Sequence, residues 1–133
     1  MTITTEDVYA LAPFVRTLGV EFDHIEPNRV TARLTHSAAL STTGGGLHGG
    51  AVMALADATA AVCAAVNGKP GALPATADST THFLCPITDV ATAIAVPLRV
   101  SGRQVVVTVE VRNDVGNMCA HVVQTVHLIS NHE

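Results

Sequence analysis

Residues 48–67, HGGAVMALADATAAVCAAVN, limit more than any other segment how this chain can fold. They carry one charged side chain, Asp57, in a run made mostly of Ala, Val, Leu, Met and Cys. The spacing predicts a helix of about five turns, stopped by Gly68 and Pro70 in NGKPG. Val52, Leu55, Ala56, Thr59, Val62, Cys63 and Val66 recur every three or four residues and form one stripe suited to lying on a sheet. Its most apolar part, 51–66, contains Asp57 and is shorter than the ~20 residues that span a bilayer. It therefore reads as a core helix, with no membrane partner expected.

A helix that is apolar on nearly every side has to be wrapped, and the rest of the chain offers strands to do it. VEFDHIEP and RVTARLTH alternate as a hairpin does, with Val30, Ala32 and Leu34 on one face and Arg29, Thr31 and Arg33 on the other. After the helix come four segments rich in Val, Thr and Ile: ATADSTTHFLCP, VATAIAVPLRVSG, RQVVVTVEVRND and NMCAHVVQTVHLIS. Short turns between them, such as Ser101-Gly102 and residues 114–117, predict an antiparallel meander. Ahead of all these, Val8, Leu11 and Val15 suggest a short helix that Pro13 stops or kinks. The expected class is α+β: about six antiparallel strands around one long helix, in a single domain over 1–133.

Apolar residues make up 48% of the chain and charged residues 14%, so part of the surface is expected to be covered by another subunit. The seven basic residues are scattered and the net charge is −4, which argues against a nucleic-acid partner. MTITTEDVYALAPF has neither the basic nor the apolar region of a secretory signal, so a cytoplasmic location is expected. Cys63, Cys85 and Cys119 are odd in number and lack CxxC spacing, and are read as reduced core thiols. The histidines at 24, 36, 82, 121, 127 and 132 show no ligand spacing, and no metal is expected. No GxSxG elbow is present for a serine hydrolase.

Asp57 is the anomaly. Between Arg33 and Lys69 the only basic candidates are His36 and His48, so the carboxylate has no partner nearby along the chain. It either faces water, caps a backbone group across a subunit interface, or takes part in chemistry. The chemical reading is supported by GGGLHGG just upstream, a flexible backbone leading into a helix N-terminus whose free N–H groups suit developing negative charge. A carbonyl held there gains oxyanion stabilisation of roughly 3–4 kcal/mol from one well-placed donor. Gly49 and Asp57 are about 12 Å apart by helical rise, too far to touch one reacting carbon. The pair works best in trans, in a two-fold dimer whose helices run antiparallel, with Ala54, Ala58, Ala60, Ala61 and Ala64 permitting close approach.

LHGGAVMALADATAAV, THFLCP and VSGRQVVVTVEVRNDVGNMCAHVVQT together resemble the hotdog-fold thioesterases, specifically the phenylacetate-degradation (PaaI) type within the 4-hydroxybenzoyl-CoA thioesterase superfamily. The resemblance covers nearly the whole chain, and the HGG-to-acid spacing is its most specific part. It implies an active site between two subunits of a homodimer, itself assembled into a homotetramer. It also implies an acyl-coenzyme A substrate, with coenzyme A as part of the substrate and no cofactor.

By resemblance, Gly49 polarises the thioester carbonyl, His48 shapes the site, and Asp57 of the opposite subunit activates water or attacks the carbonyl. Gly50, Met53 and Phe83 are expected near the substrate, with Leu40 and Val52 as further pocket candidates. Arg103, Arg99 and Lys69 are candidates to hold the nucleotide, though each also fits a solvated surface charge. Thr76 falls where some relatives place a Ser or Thr that helps hold the attacking water. Two positions depart from the pattern: Thr42 stands where the family has Asn or Gln, and Cys85 where it has Arg. The reading is thioester hydrolysis. A noncatalytic acyl-CoA-binding protein, suggested by Thr42, and a hotdog hydratase or dehydratase are the alternatives.

Overall fold

The computed structural model describes residues 2–130. Pro13 divides the N-terminal helical segment in two, α1 (Thr5–Leu11) and α2 (Pro13–Leu18). Lacking an N–H, Pro13 fits the first position of α2, where no intrahelical donor is needed. Thr4 and Asp7 form a reciprocal capping box at the start of α1, with N···O distances of 3.2 and 2.9 Å. Gly19, at φ +85°, turns the chain out of α2.

Six strands follow around the long helix: β1 (Glu21–Glu26), β2 (Arg29–Thr35), then α3 (Gly49–Val66), then β3 (Leu73–Phe83), β4 (Val90–Ser101), β5 (Gln104–Arg112) and β6 (Met118–Ile129). They make one antiparallel sheet in the order β1-β2-β4-β5-β6-β3. Period-two alternation points Val105, Val107, Val109 and Val111 of β5 at the helix, with Ala91, Ala93 and Ala95 of β4 beside them, all fully buried. Each buried Val contributes roughly 1.5–3 kcal/mol. From α3, Leu55, Ala56, Ala60, Cys63 and Ala64 close the core, and the small residues on both sides bring helix and sheet together. α3 meets the length and composition of a membrane span, yet half of it is buried against its own sheet.

Three expectations need correction. The last four strands are not a continuous meander: β4, β5 and β6 are, but β3 pairs with β6 at the far edge while β2 lies beside β4. α3 lies over the middle strands, so a chain entering it from β2 leaves on the other side, and residues 84–89 cross back. Six extended residues reach about 20 Å, enough for three strand spacings of about 4.8 Å. Val62 and Val66 are only half-buried because they face a groove beneath α1 and α2 instead of the sheet. Cys85 is exposed, not in the core, because it lies in the crossover beyond the end of β3.

Candidate active site at the N-terminal half of α3

Two side chains from the sheet converge on Asp57. Thr76 of β3 donates from Oγ1 to Asp57 Oδ1 at 2.6 Å, and Gln124 of β6 donates from Nε2 to the same oxygen at 2.7 Å. Gln124 Nε2 also lies 3.2 Å from Thr76 Oγ1, so the three groups form a closed triangle. The carboxylate accepts only, which fixes the Gln124 amide with its NH2 toward Asp57. Gln124 is fully buried, and its Oε1 is left without a partner among the described residues. Leaving a buried carbonyl unpaired costs about 1–3 kcal/mol, so the contact with Asp57 outweighs the alternative orientation. Oδ2 of Asp57 takes no partner among the described residues, and no cation pairs with the group there.

Asp57 has no cationic partner near it along the chain, as expected, and the two neutral side chains that hold it come from positions distant in sequence. Gln124 is the residue that sequence reasoning missed. The signal was available, since alternation in VVQTVHL places Gln124 on the inner row with Val122 and Val126. A bulge in β3 between Thr76 and Asp78 interrupts the ladder just after Thr76, the kind of irregularity that re-aims side chains beside a site.

Asp57 and Thr76 form the polar wall of an otherwise apolar groove of about 490 Å³ between α1, α2, α3 and β3. Leu11, Phe14, Ala58 and Ala61 are among its walls. Tyr9 holds the helical side in place by donating its hydroxyl to the Val20 carbonyl at 2.6 Å.

The glycine segment forms a second cluster. His48 caps α3, its Nδ1 accepting the Gly50 N–H at 2.8 Å. The neutral ring therefore carries its proton on Nε2, and Gly50 has no free N–H to offer a ligand. The Gly49 N–H is left without a partner among the described residues. A Cβ on Gly49 would stand 3.3 Å from the Phe83 ring, so glycine is what lets this ring approach the helix start. Upstream, the Thr42 N–H donates to the Gly46 carbonyl at 2.8 Å, and its hydroxyl makes no hydrogen bond among the described residues. His36 Nε2 lies 2.7 Å from the Gly45 carbonyl oxygen and 2.9 Å from Ser41 Oγ, bracing the loop.

Met53 is exposed one turn before Asp57, whereas Val52 is a core residue and Leu40 packs partly against the core. Lys69 and Arg103 line one cavity of about 670 Å³ together with His127. Arg99 is not among its lining residues and stands exposed beside a bulge in β4. Burial pushes the Cys63 thiol up to about 11, which keeps it neutral and unreactive at pH 7. Among the described residues no three His, Cys, Asp or Glu side chains are grouped to hold a metal ion, and His132 lies outside those residues.

The profile of the thioesterase superfamily matches residues 44–120, more than half of the chain and the whole span from the glycine segment to β6. The chain belongs to the thioesterase superfamily. This superfamily member has the hotdog fold, and solved structures share it along nearly their full length. A thioesterase from Haemophilus influenzae superposes with a TM-score of 0.90 at 23% identity, covering 100% of this chain and 95% of that one. AziG from S. sahachiroi gives 0.84 at 28% identity, with 90% and 98% covered. The PaaI protein from the phenylacetic acid degradation operon of E. coli gives 0.86 at 20% identity, with 96% and 91% covered. No curated protein matches the sequence. Family and fold together support thioester hydrolysis as the general reaction class.

Proposed function

We propose that this protein hydrolyses acyl-coenzyme A thioesters at a site shared by two protomers. The observation that carries the reading is Asp57: one carboxylate oxygen is held by Thr76 and Gln124, the other has no partner among the described residues, and the group borders an apolar groove. In the reaction, the Gly49 N–H and the His48 Nε2–H receive the thioester carbonyl oxygen as it becomes negative. Asp57 of the opposite protomer either takes a proton from the attacking water or attacks the carbonyl itself. The tetrahedral intermediate then expels coenzyme A as thiolate, which takes up a proton; where Asp57 itself attacked, water next cleaves the acyl–Asp57 anhydride to release the acid and restore the carboxylate. Thr42 contributes a hydroxyl where an amide is usual, and Thr76 both orients Asp57 and can accept a hydrogen bond from the water.

Sharing between protomers is supported by distance, since Gly49 and Asp57 of one chain are about 12 Å apart along α3. It is further supported by the open edge of β3, eleven residues long and directly beside Asp57. We assign a homodimer built there, assembled further as a homotetramer, in the cytoplasm and without nucleic-acid or membrane partners. Lys69 and Arg103, which share a cavity, hold the nucleotide phosphates; Arg99 stands apart from them. Gly50 shapes His48 instead of binding substrate directly, while Met53 and Phe83 border the acyl end.

The test is coenzyme A release from a panel of short aliphatic to aromatic acyl-CoA thioesters by the wild type and Asp57→Asn. The variant is expected to fold normally and lose turnover by about 100-fold or more. An unchanged kcat would remove Asp57 from the mechanism. Binding without turnover by the wild type would establish an acyl-CoA-binding protein instead.

A further inference from the structure

Cys85 and Cys119 are far apart in sequence but adjacent in space, with their Sγ atoms 2.8 Å apart. The backbone sets this up. The N–H groups of Leu84 and Cys85 both donate to the Cys119 carbonyl, at 2.8 and 3.2 Å, so the start of the crossover is tied to the start of β6. Cys85 is exposed and Cys119 is buried at 1% exposure, which places a reachable thiol directly over a sheltered one. Neither belongs to the hydrolytic site, and Cys63 lies apart, buried in α3.

We propose that Cys85 and Cys119 are a modification site: a dithiol that a peroxide converts into an intramolecular disulfide. The Cys85 thiolate attacks one oxygen of hydrogen peroxide, the O–O bond breaks, and the departing oxygen takes up a proton and leaves as water. Cys85 is then a sulfenic acid. Cys119 attacks that sulfur, the S–O bond breaks, and the hydroxide leaves as water with the Cys119 proton. Two thiols lose two electrons and one peroxide becomes two waters. Burial and the neighbouring sulfur push the Cys119 thiol up to about 11, consistent with Cys85 reacting first and Cys119 resolving. The two sulfurs have to close from 2.8 Å to the ~2.05 Å of a disulfide.

The bond has a structural consequence for the glycine segment. The same crossover accepts the Leu47 N–H at the Ile87 carbonyl and the His36 N–H at the Asp89 carbonyl, both at 2.8 Å. A disulfide at its first turn fastens to β6 the segment that supports the start of α3. In a compartment poised by glutathione, such a bond forms under oxidant and is reversed by thiols.

The full-length protein, fully reduced, is treated with a slight excess of hydrogen peroxide, and its thiols are counted by alkylation and intact mass. Three alkylatable thiols are expected to fall to one, located at Cys63 by peptide mapping, and to return to three with dithiothreitol. Cys85→Ser is expected to keep both of its thiols under the same treatment, and this exposed position guards against misreading a Cys119 variant that fails to fold. Accumulation of Cys85 sulfinic acid beside a free Cys119, or a disulfide linking two chains, would overturn the proposal. The readout is a thiol count, so it stands or falls separately from hydrolysis.

Discussion

A carboxylate whose one oxygen accepts two hydrogen bonds while the other stays available is positioned as well as charged. At Asp57 the positioning comes from Thr76 and Gln124, and Gln124 does so with its own buried carbonyl unpaired among the described residues. Replacing it by an apolar side chain of similar length therefore removes a costly buried group together with a useful contact. Gln124→Met is expected to change unfolding free energy by less than about 1.5 kcal/mol in urea titrations, because the volume is kept and the orphan oxygen is gone. Turnover should nonetheless fall by roughly 10-fold or more with KM little altered, since Asp57 loses orientation. A variant that lost stability and kept kcat would show Gln124 to be a packing residue only. Asp57 and Thr76 were legible in the sequence one at a time. Their contact was not, because nineteen residues and a helix-to-strand change separate them.

Among the elements, α1 and α2 wall one side of the groove while burying little in the core. Of their residues only Val8 and Val15 are buried. They are held by the Thr4–Asp7 box, by Thr5, whose hydroxyl accepts the Phe22 N–H at 2.9 Å, and by Tyr9 on the Val20 carbonyl. Tyr9→Phe keeps the ring and removes the last of these bonds. It is expected to cost about 1 kcal/mol of stability by denaturant unfolding and to raise KM more than it lowers kcat, because it loosens a wall and leaves Asp57 untouched. The break at Pro13 was readable from the missing N–H alone. Strand identities were readable too, since alternation is local, and so were the neighbours joined by short turns, β1 with β2 and β4 through β6; the place of β3 was not. Which edge β3 joins depends on where α3 releases the chain.

For the whole molecule, the decisive question is whether each site draws on two chains. His48→Ala and Asp57→Asn proteins, each inactive alone, are expected to regain activity when unfolded together and refolded at equal concentrations. Random pairing makes half the dimers mixed, each with one intact site of two, so recovery should approach about a quarter of the wild-type rate. No recovery, with mixed dimers shown to form, would place both groups in one chain. By itself the sequence determined the long apolar helix, the strands that wrap it, the break at Pro13 and the isolation of Asp57 from any charge nearby in the chain. Those properties follow from side-chain period and composition within a few residues of one another. Only the tertiary structure decided that β3 closes the sheet against β6, that Gln124 and Thr76 meet Asp57, and that Cys85 lies over Cys119. Each of those contacts joins residues nineteen or more apart, and the packing of α3 across the sheet, not local pattern, sets which of them meet.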